Sequence, residues 1–304
     1  MIHNKGFGYR WIYLICIIGF VAIGACRQHK GGSGEINVSD SIKKTVKEKL
    51  PLQDVYYRFP APNEIFNFIN NEKIRFEPSL LNPLSNVDKY LNSKAQALNL
   101  GIYVADLAYI TLFEAYNKSP EYYKAIHTLS EKIHISSAYD LEVAKRIEKN
   151  LLNLDSLKRI SVDSYSSMVE FLIVNNREKI LALIAAGAYV ECFNISFNLA
   201  GKYSENNPML VKIADLKYAF ENLFSYLQIY SDDQAVKEVT EQYQNLSNLF
   251  SKMEQKNLGK TTAKQTADGN IVLSGGVKIH ITEPLFEELK KEITKLHNQI
   301  IDTY

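Results

Sequence analysis

The run from Lys179 to Gly201, KILALIAAGAYVECFNISFNLAG, is the most apolar part of the chain outside its extreme N-terminus, and it constrains the fold more than any other segment. Drawn as a helix it is apolar nearly all round, and such a helix is stable only inside a core or a membrane. Glu191, Asn194 and Asn198 break the pattern. The clean apolar stretch ahead of Glu191 is about a dozen residues, short of the roughly 20 that a bilayer requires. A soluble bundle built around this helix is therefore expected, and 304 residues are ample for its core.

The flanking segments are amphipathic and read as further helices. Val87 to Tyr116 ends in ALNLGIYVADLAYITLFEAY, where Asn99, Asp106 and Glu114 stand seven and eight residues apart and so share one narrow stripe. Pro60 and Pro62 force an extended lead into a turn or two of helix from Asn63 to Ile69. Ser119-Pro120 opens a tyrosine-rich helix that runs to Ile133. Leu141, Ala144, Ile147, Leu151, Leu154 and Leu157 recur at helical spacing between Ala138 and Ile160, and Val162 to Asn175 reads as one more short helix. Gly201 stops the central helix, Asn207-Pro208 opens the next and Ser231-Asp232 caps the one after it.

Two seams complete the pattern. Val236, Val239, Tyr243, Leu246, Phe250 and Met253 alternate spacings of three and four, as do Phe286, Leu289, Ile293, Leu296 and Ile300, so their helices are expected to pair as in a coiled coil. Between them, Asn270 to Ser274 and Val277 to Thr282 alternate around Gly275-Gly276, the spacing of a tight hairpin. The expected fold class is all-α: a multi-helix bundle around a buried central helix at about 179–201, with one small β-hairpin at about 270–282 before the last helix.

At the amino terminus, Lys5 and Arg10 precede Trp11 to Val21, an apolar stretch of signal-peptide length, and Gly24 and Ala25 stand before Cys26. Ile23-Gly24-Ala25-Cys26 resembles the lipobox of bacterial lipoproteins. That resemblance implies cleavage before Cys26, a diacylglycerol on its thiol and an acyl group on the new amine. Several acyl chains, each buried CH₂ contributing about 0.8 kcal/mol, hold a protein on a membrane where one chain does not. The alternatives are a plain signal peptide or a single membrane helix with a chance cysteine. Arg27 to Glu35, RQHKGGSGE, is polar and glycine-rich and is expected to be a flexible tether. The expected organisation is a signal peptide over 1–25, a lipidated cysteine with tether and short polar helix over 26–50, and a single helical domain over 51–304. In Gram-negative lipoproteins an aspartate directly behind the cysteine tends to retain the protein at the inner membrane. Arg27 holds that place, which points to the outer membrane. The lack of acidic residues before Glu35, unlike many surface-exported lipoproteins of Bacteroidota, points to its periplasmic face.

Chemical motifs are sparse. Removing residues 1–25 leaves 33 basic against 34 acidic side chains, which gives no electrostatic footprint for nucleic acid. Three cysteines do not make a disulfide framework. His127 and His134 lie seven apart, on one face if their helix extends that far, without an H-E-x-x-H or cysteine partner to make a metal site. No G-x-S-x-G or phosphate-cradling glycine loop occurs, and Cys192 in an apolar helix reads as an inert packing residue. No cofactor is indicated. The candidate polar site is Asn99, Asp106 and Glu191, because two carboxylates facing each other across a bundle can hold a metal or act as acid and base. Alternatively these acids form the thin solvent edge of their helices, or are buried against Arg146, Arg159 or Arg177.

Ala97-Leu98-Asn99-Leu100-Gly101-Ile102-Tyr103 followed by Ala105-Asp106-Leu107-Ala108-Tyr109 resembles the signature of uncharacterised helical lipoproteins of Bacteroidota. Phe59-Pro60, Arg146 to Asn150 and a hairpin before the final helix are also similar. The resemblance covers most of the mature chain, sets Asn99 and Asp106 at motif positions, and implies no particular activity. The expected function is a lipid-anchored cell-envelope protein that binds an envelope partner or has a structural role. The alternative is a small-ligand carrier or enzyme with a pocket lined by Asp106, Glu191 and tyrosines.

Overall fold

The computed structural model describes residues 61–66, 74–138, 153–257, 262–265, 271–274 and 277–302, with isolated positions from 143 to 150 and Gly259. Chain contacts divide between Lys47 and Glu48, and all of these residues belong to the Glu48–Tyr304 unit. The leader, Cys26, the tether and the helix expected over 36–50 lie outside the described residues.

The helices are α1 (Pro62–Phe66), α2 (Ser93–Leu112), α3 (Ser119–Lys132), α4 (Leu154–Val174), α5 (Glu178–Ala200), α6 (Pro208–Ile229), α7 (Gln234–Ser251) and α8 (Glu283–Ile301). The central helix is α5. It is packed by α1, α2, α4, α6, α7 and α8, and most extensively by α2. Nearly every side chain from Leu181 to Phe197 is buried, which is what an apolar surface on all sides demands. It is long and apolar enough to cross a membrane, yet its apolar window is 94% covered by protein. Two glycines set its closest approach. A Cβ at Gly187 would fall on the Leu98 carbonyl, and one at Gly101 on the Ile184 carbonyl, so α2 and α5 touch backbone to backbone.

Local chemistry fixes the ends. Asn92, Asn153, Asn207 and Asp233 each accept a backbone N–H from the first turn of α2, α4, α6 and α7. The cap of α7 is Asp233, one residue beyond the expected Ser231-Asp232. Three helices stop alike, on a non-glycine residue in the left-handed region: Glu114 (φ 57°) after α2, His134 (φ 58°) after α3 and Asn176 (φ 56°) after α4. In each, the following amide reaches back five residues: Ala115 to Ile110, Ile135 to Ser130, Arg177 to Leu172. These are Schellman closures, which recover carbonyls the helix end leaves unpaired. Gly201, at φ 72°, ends α5.

Helix α4 begins at Leu154 and runs unbroken through Ser161-Val162, so the expected boundary near residue 160 is wrong. The leucine spacing continued across a real break, where Asn153 turns the chain and caps α4. Helices α7 and α8 pair as their seams require, with Val236, Val239, Tyr243 and Leu246 buried on one and Phe286, Leu289, Ile293 and Leu296 on the other.

The small antiparallel hairpin stands before α8, with a different register from the expected one. β1 (Glu254–Asn257) pairs with β4 (Val277–His280), and β2 (Thr262–Gln265) with β3 (Ile271–Ser274). The two segments expected to pair with each other, β3 and β4, pair instead with β2 and β1, and Gly275-Gly276, expected to make the turn, lie outside the described residues.

Candidate functional site

Asp106 of α2 and Glu191 of α5 are both fully buried, and the packing brings their carboxyl groups together in the centre of the bundle. None of the arginines offered by the sequence reaches them. Arg177 donates to the Ile133 and His134 carbonyls at 2.7 and 2.6 Å, covering the end of α3, and Arg146 lies 3.8 Å from Asp163. The counter-ion is His297 of α8, whose Nε2 stands 2.7 Å from Glu191 Oε2. That is ion-pair distance, although the ring N–H points out of line with the oxygen and makes no well-aligned hydrogen bond.

The polar surroundings explain how two acids can share one site. The Asn82 amide donates to Asp106 Oδ2 at 3.2 Å. Asp106 Oδ1 and both Glu191 oxygens receive no aligned donor when both acids are ionised. Two buried carboxylates in contact cannot both keep their charge, and a proton on one supplies the missing donor. Burial, then the Glu191 carboxylate, push the Asp106 carboxyl well above the usual carboxylate range, against the opposing effect of the Asn82 amide. Burial disfavours the charged imidazole of His297, but Glu191, with Asn298 and Asp302, outweighs it and holds that pKa above 6.5. Both shifts favour the protonated forms of Asp106 and His297, the two groups that meet Glu191.

A network runs from this cluster to the surface. Asn82 Nδ2 donates to the Tyr90 hydroxyl, Asn86 Nδ2 to Asn82 Oδ1 and Lys89 Nζ to Asn86 Oδ1. Tyr122 donates to the Asn82 carbonyl and Tyr103 to that of Pro83, so residues 82–90 are tied to α2 and α3 by buried polar bonds. Asn99 does not join the acids. Its Nδ2 donates to Ala95 and, at 3.0 Å, to the Ile300 carbonyl, pinning the end of α8 to α2. Asn194 and Asn198 bond each other. Glu114 lies beyond the end of α2.

The cluster is enclosed. Clefts on the described surface lie elsewhere, one along α4 beside Arg146, Asp163 and Glu170 and two at the hairpin root beside His280. A small cavity of about 30 Å³ between α2, α3 and α4, lined by Leu107, Leu157 and Ile160, has room for a single water. Asp106, Glu191 and His297 line none of these. Among the described residues no group of three His, Cys, Asp or Glu side chains is arranged to hold a metal. His127 and His134 are separated by the end of α3 at Lys132, and His127 Nδ1 lies instead 3.7 Å from Glu131. Cys192 is buried, and burial, with Glu191 and Asp106 nearby, pushes its thiol well up, which keeps it a neutral packing group.

The sequence reading missed His297 and Asn82. The signal for the first was available: a titratable side chain next to Leu296, on the edge of an apolar seam that had to face the core. Asn82 lies in an irregular segment between 3₁₀ turns, and no periodicity marks it.

These features define a helical bundle closed over a polar centre, held together from three helices. Comparison with protein-family models, with curated proteins and with solved structures finds no match for the chain.

Proposed function

We propose that this chain is a lipid-anchored cell-envelope protein whose helical domain serves as a binding or structural module, with no catalysis at its polar centre. The observation that carries the reading is Ile23-Gly24-Ala25-Cys26, placed at the end of the apolar stretch Trp11 to Val21 behind Lys5 and Arg10. The glycine-rich run Arg27 to Glu35 gives a folded domain room to stand off the bilayer and meet a partner. The enclosed setting of Asp106 and Glu191 supports the non-enzymatic form, because a solute has no path to either acid in the described structure. Arg27 behind the cysteine favours the outer membrane, facing the periplasm.

Metabolic labelling with a palmitate analogue tests the anchor. The wild-type chain takes up label and sediments with membranes, and Cys26→Ala takes up none and leaves the membrane fraction. Equal labelling of both would overturn the proposal. Crosslinking in intact envelopes followed by affinity capture then identifies the partner. The small-ligand alternative would be favoured if a small molecule, with no protein, came through that purification.

A further inference from the structure

The cluster at the centre of the bundle joins three helices, and its third member stands on the last of them. Asp106 and Glu191 sit on the closely packed pair α2 and α5, whereas His297 sits on α8, the last helix, one turn from the Ile300 carbonyl that Asn99 binds. Beyond Ile293, the contacts of α8 include Leu296, Ile300 and Ile301 packed on the core, the Asn99 bond and this ion pair. We propose that Asp106, Glu191 and His297 form a proton-operated latch that holds the last two turns of α8 closed and releases them as pH rises.

The groups facing the cluster bear this out element by element. From α2 come Asp106 and Tyr103, from α3 Tyr122, from α5 Glu191 and Cys192, and along α8 itself Asp302. Burial pushes the two phenols and the thiol upward, so these stay neutral while the cluster titrates. Among the described residues, no lysine or arginine acts on Asp106 or His297. Lys217 on α6 is committed to the Phe250 carbonyl and Glu221, and Tyr243 on α7 to the Ala186 carbonyl. When His297 loses its proton, no other cation of the described residues stands against Glu191. When Asp106 loses its own, two buried carboxylates confront each other.

The sign follows from proton counting. His297 is raised above 6.5, so its contribution is whole below that value and is lost as pH climbs through the folded pKa. Asp106 is raised above 3.8, so the closed form keeps a proton that the open form has released, and it too loses ground as pH rises. Both slopes run the same way. Opening releases up to two protons, so the opening constant of the α8 terminus rises by as much as about tenfold per pH unit for each.

Hydrogen exchange of the full chain in detergent, from pH 6 to 9 and corrected for intrinsic base catalysis, reads this directly. Protection at residues 294–301 is expected to fall with rising pH, by up to about tenfold per pH unit for each proton released, while α3 and the centre of α5 hold theirs. Asp106→Asn, which fixes the neutral state, should lower that slope by one proton, and His297→Gln by the other. Protection of the α8 terminus that stays level from pH 6 to 9 in the wild-type chain would overturn the latch. An unchanged slope in Asp106→Asn would do so as well. If either variant fails to fold, the wild-type profile alone decides.

Discussion

Replacing Gly187 by alanine tests the feature on which the bundle is built, the backbone contact between α2 and α5. In an ordinary helix the change adds stability, since alanine is better than glycine by about 1 kcal/mol. Here the new Cβ would lie 2.7 Å from the Leu98 carbonyl carbon and closer still to its oxygen, against about 3.4 Å for an ordinary contact. The opposing atoms are backbone, so no rotamer change relieves the clash and the helices must part by more than about half an ångström. A gap of that size forfeits a quarter to a half of each dispersion contact across it. Over roughly forty atom pairs at ~0.15 kcal/mol each, that is about 1.5–3 kcal/mol. The loss outweighs the propensity gain, and Gly187→Ala should be destabilised by about 0.5–2 kcal/mol net, in line with other overpacked cores. For a domain of this size the midpoint of thermal unfolding falls by about 2–4 °C per kcal/mol, followed by circular dichroism at 222 nm. Gly101 makes the same contact from the other helix, 2.7 Å from the Ala188 amide nitrogen. Once the helices have separated for one methyl group they have separated for both, so Gly101→Ala with Gly187→Ala should cost less than the sum of the single changes. A Gly187→Ala protein as stable as wild type, or more so, would refute the close crossing.

Three further outcomes are expected. His134→Gly relieves a left-handed backbone at the end of α3 and should raise stability by about 1 kcal/mol, whereas His127→Ala, within the helix, should not; chemical denaturation of the two compares them. Lys217→Met keeps the buried stem but removes the Nζ donor 2.9 Å from the Phe250 carbonyl in the last turn of α7. It should cost about 1–3 kcal/mol in urea unfolding, against less than about 0.5 for the same change at exposed Lys179. Paired cysteines at Ala263 and Leu273, which face each other across the hairpin, should crosslink on oxidation, while cysteines at Leu273 and Lys278, opposed only if Gly275-Gly276 made the turn, should stay reduced.

The parts of the fold legible in the sequence are those that a short window decides. The apolar surface of Lys179 to Gly201 leaves only burial, Asn207-Pro208 is a cap and first turn in two residues, and the seams of α7 and α8 repeat over several turns. The errors fall where one pattern serves two structures. Leucines at helical spacing run past Asn153 although α4 starts only after it, and alternating residues on the two sides of Gly275-Gly276 suit pairing with each other or with other strands. The left-handed ends at Glu114 and His134 are invisible because neither residue is glycine.

The polar centre shows a third kind of limit. That Asp106 and Glu191 were unusual could be read from their helices, because a carboxylate with apolar neighbours on every side must find a partner or a proton. Which it would find depended on residues far away in the chain. An arginine would have left both acids charged and made the centre a plain salt bridge, insensitive to pH near neutrality. A histidine offers a cation that can be withdrawn, and a second acid held neutral by its neighbour offers a proton that can be withdrawn with it. The same packing with Arg at residue 297 would be a fixed clamp. The identity of that one side chain, rather than the arrangement of helices, is what makes the centre of this bundle responsive to protons.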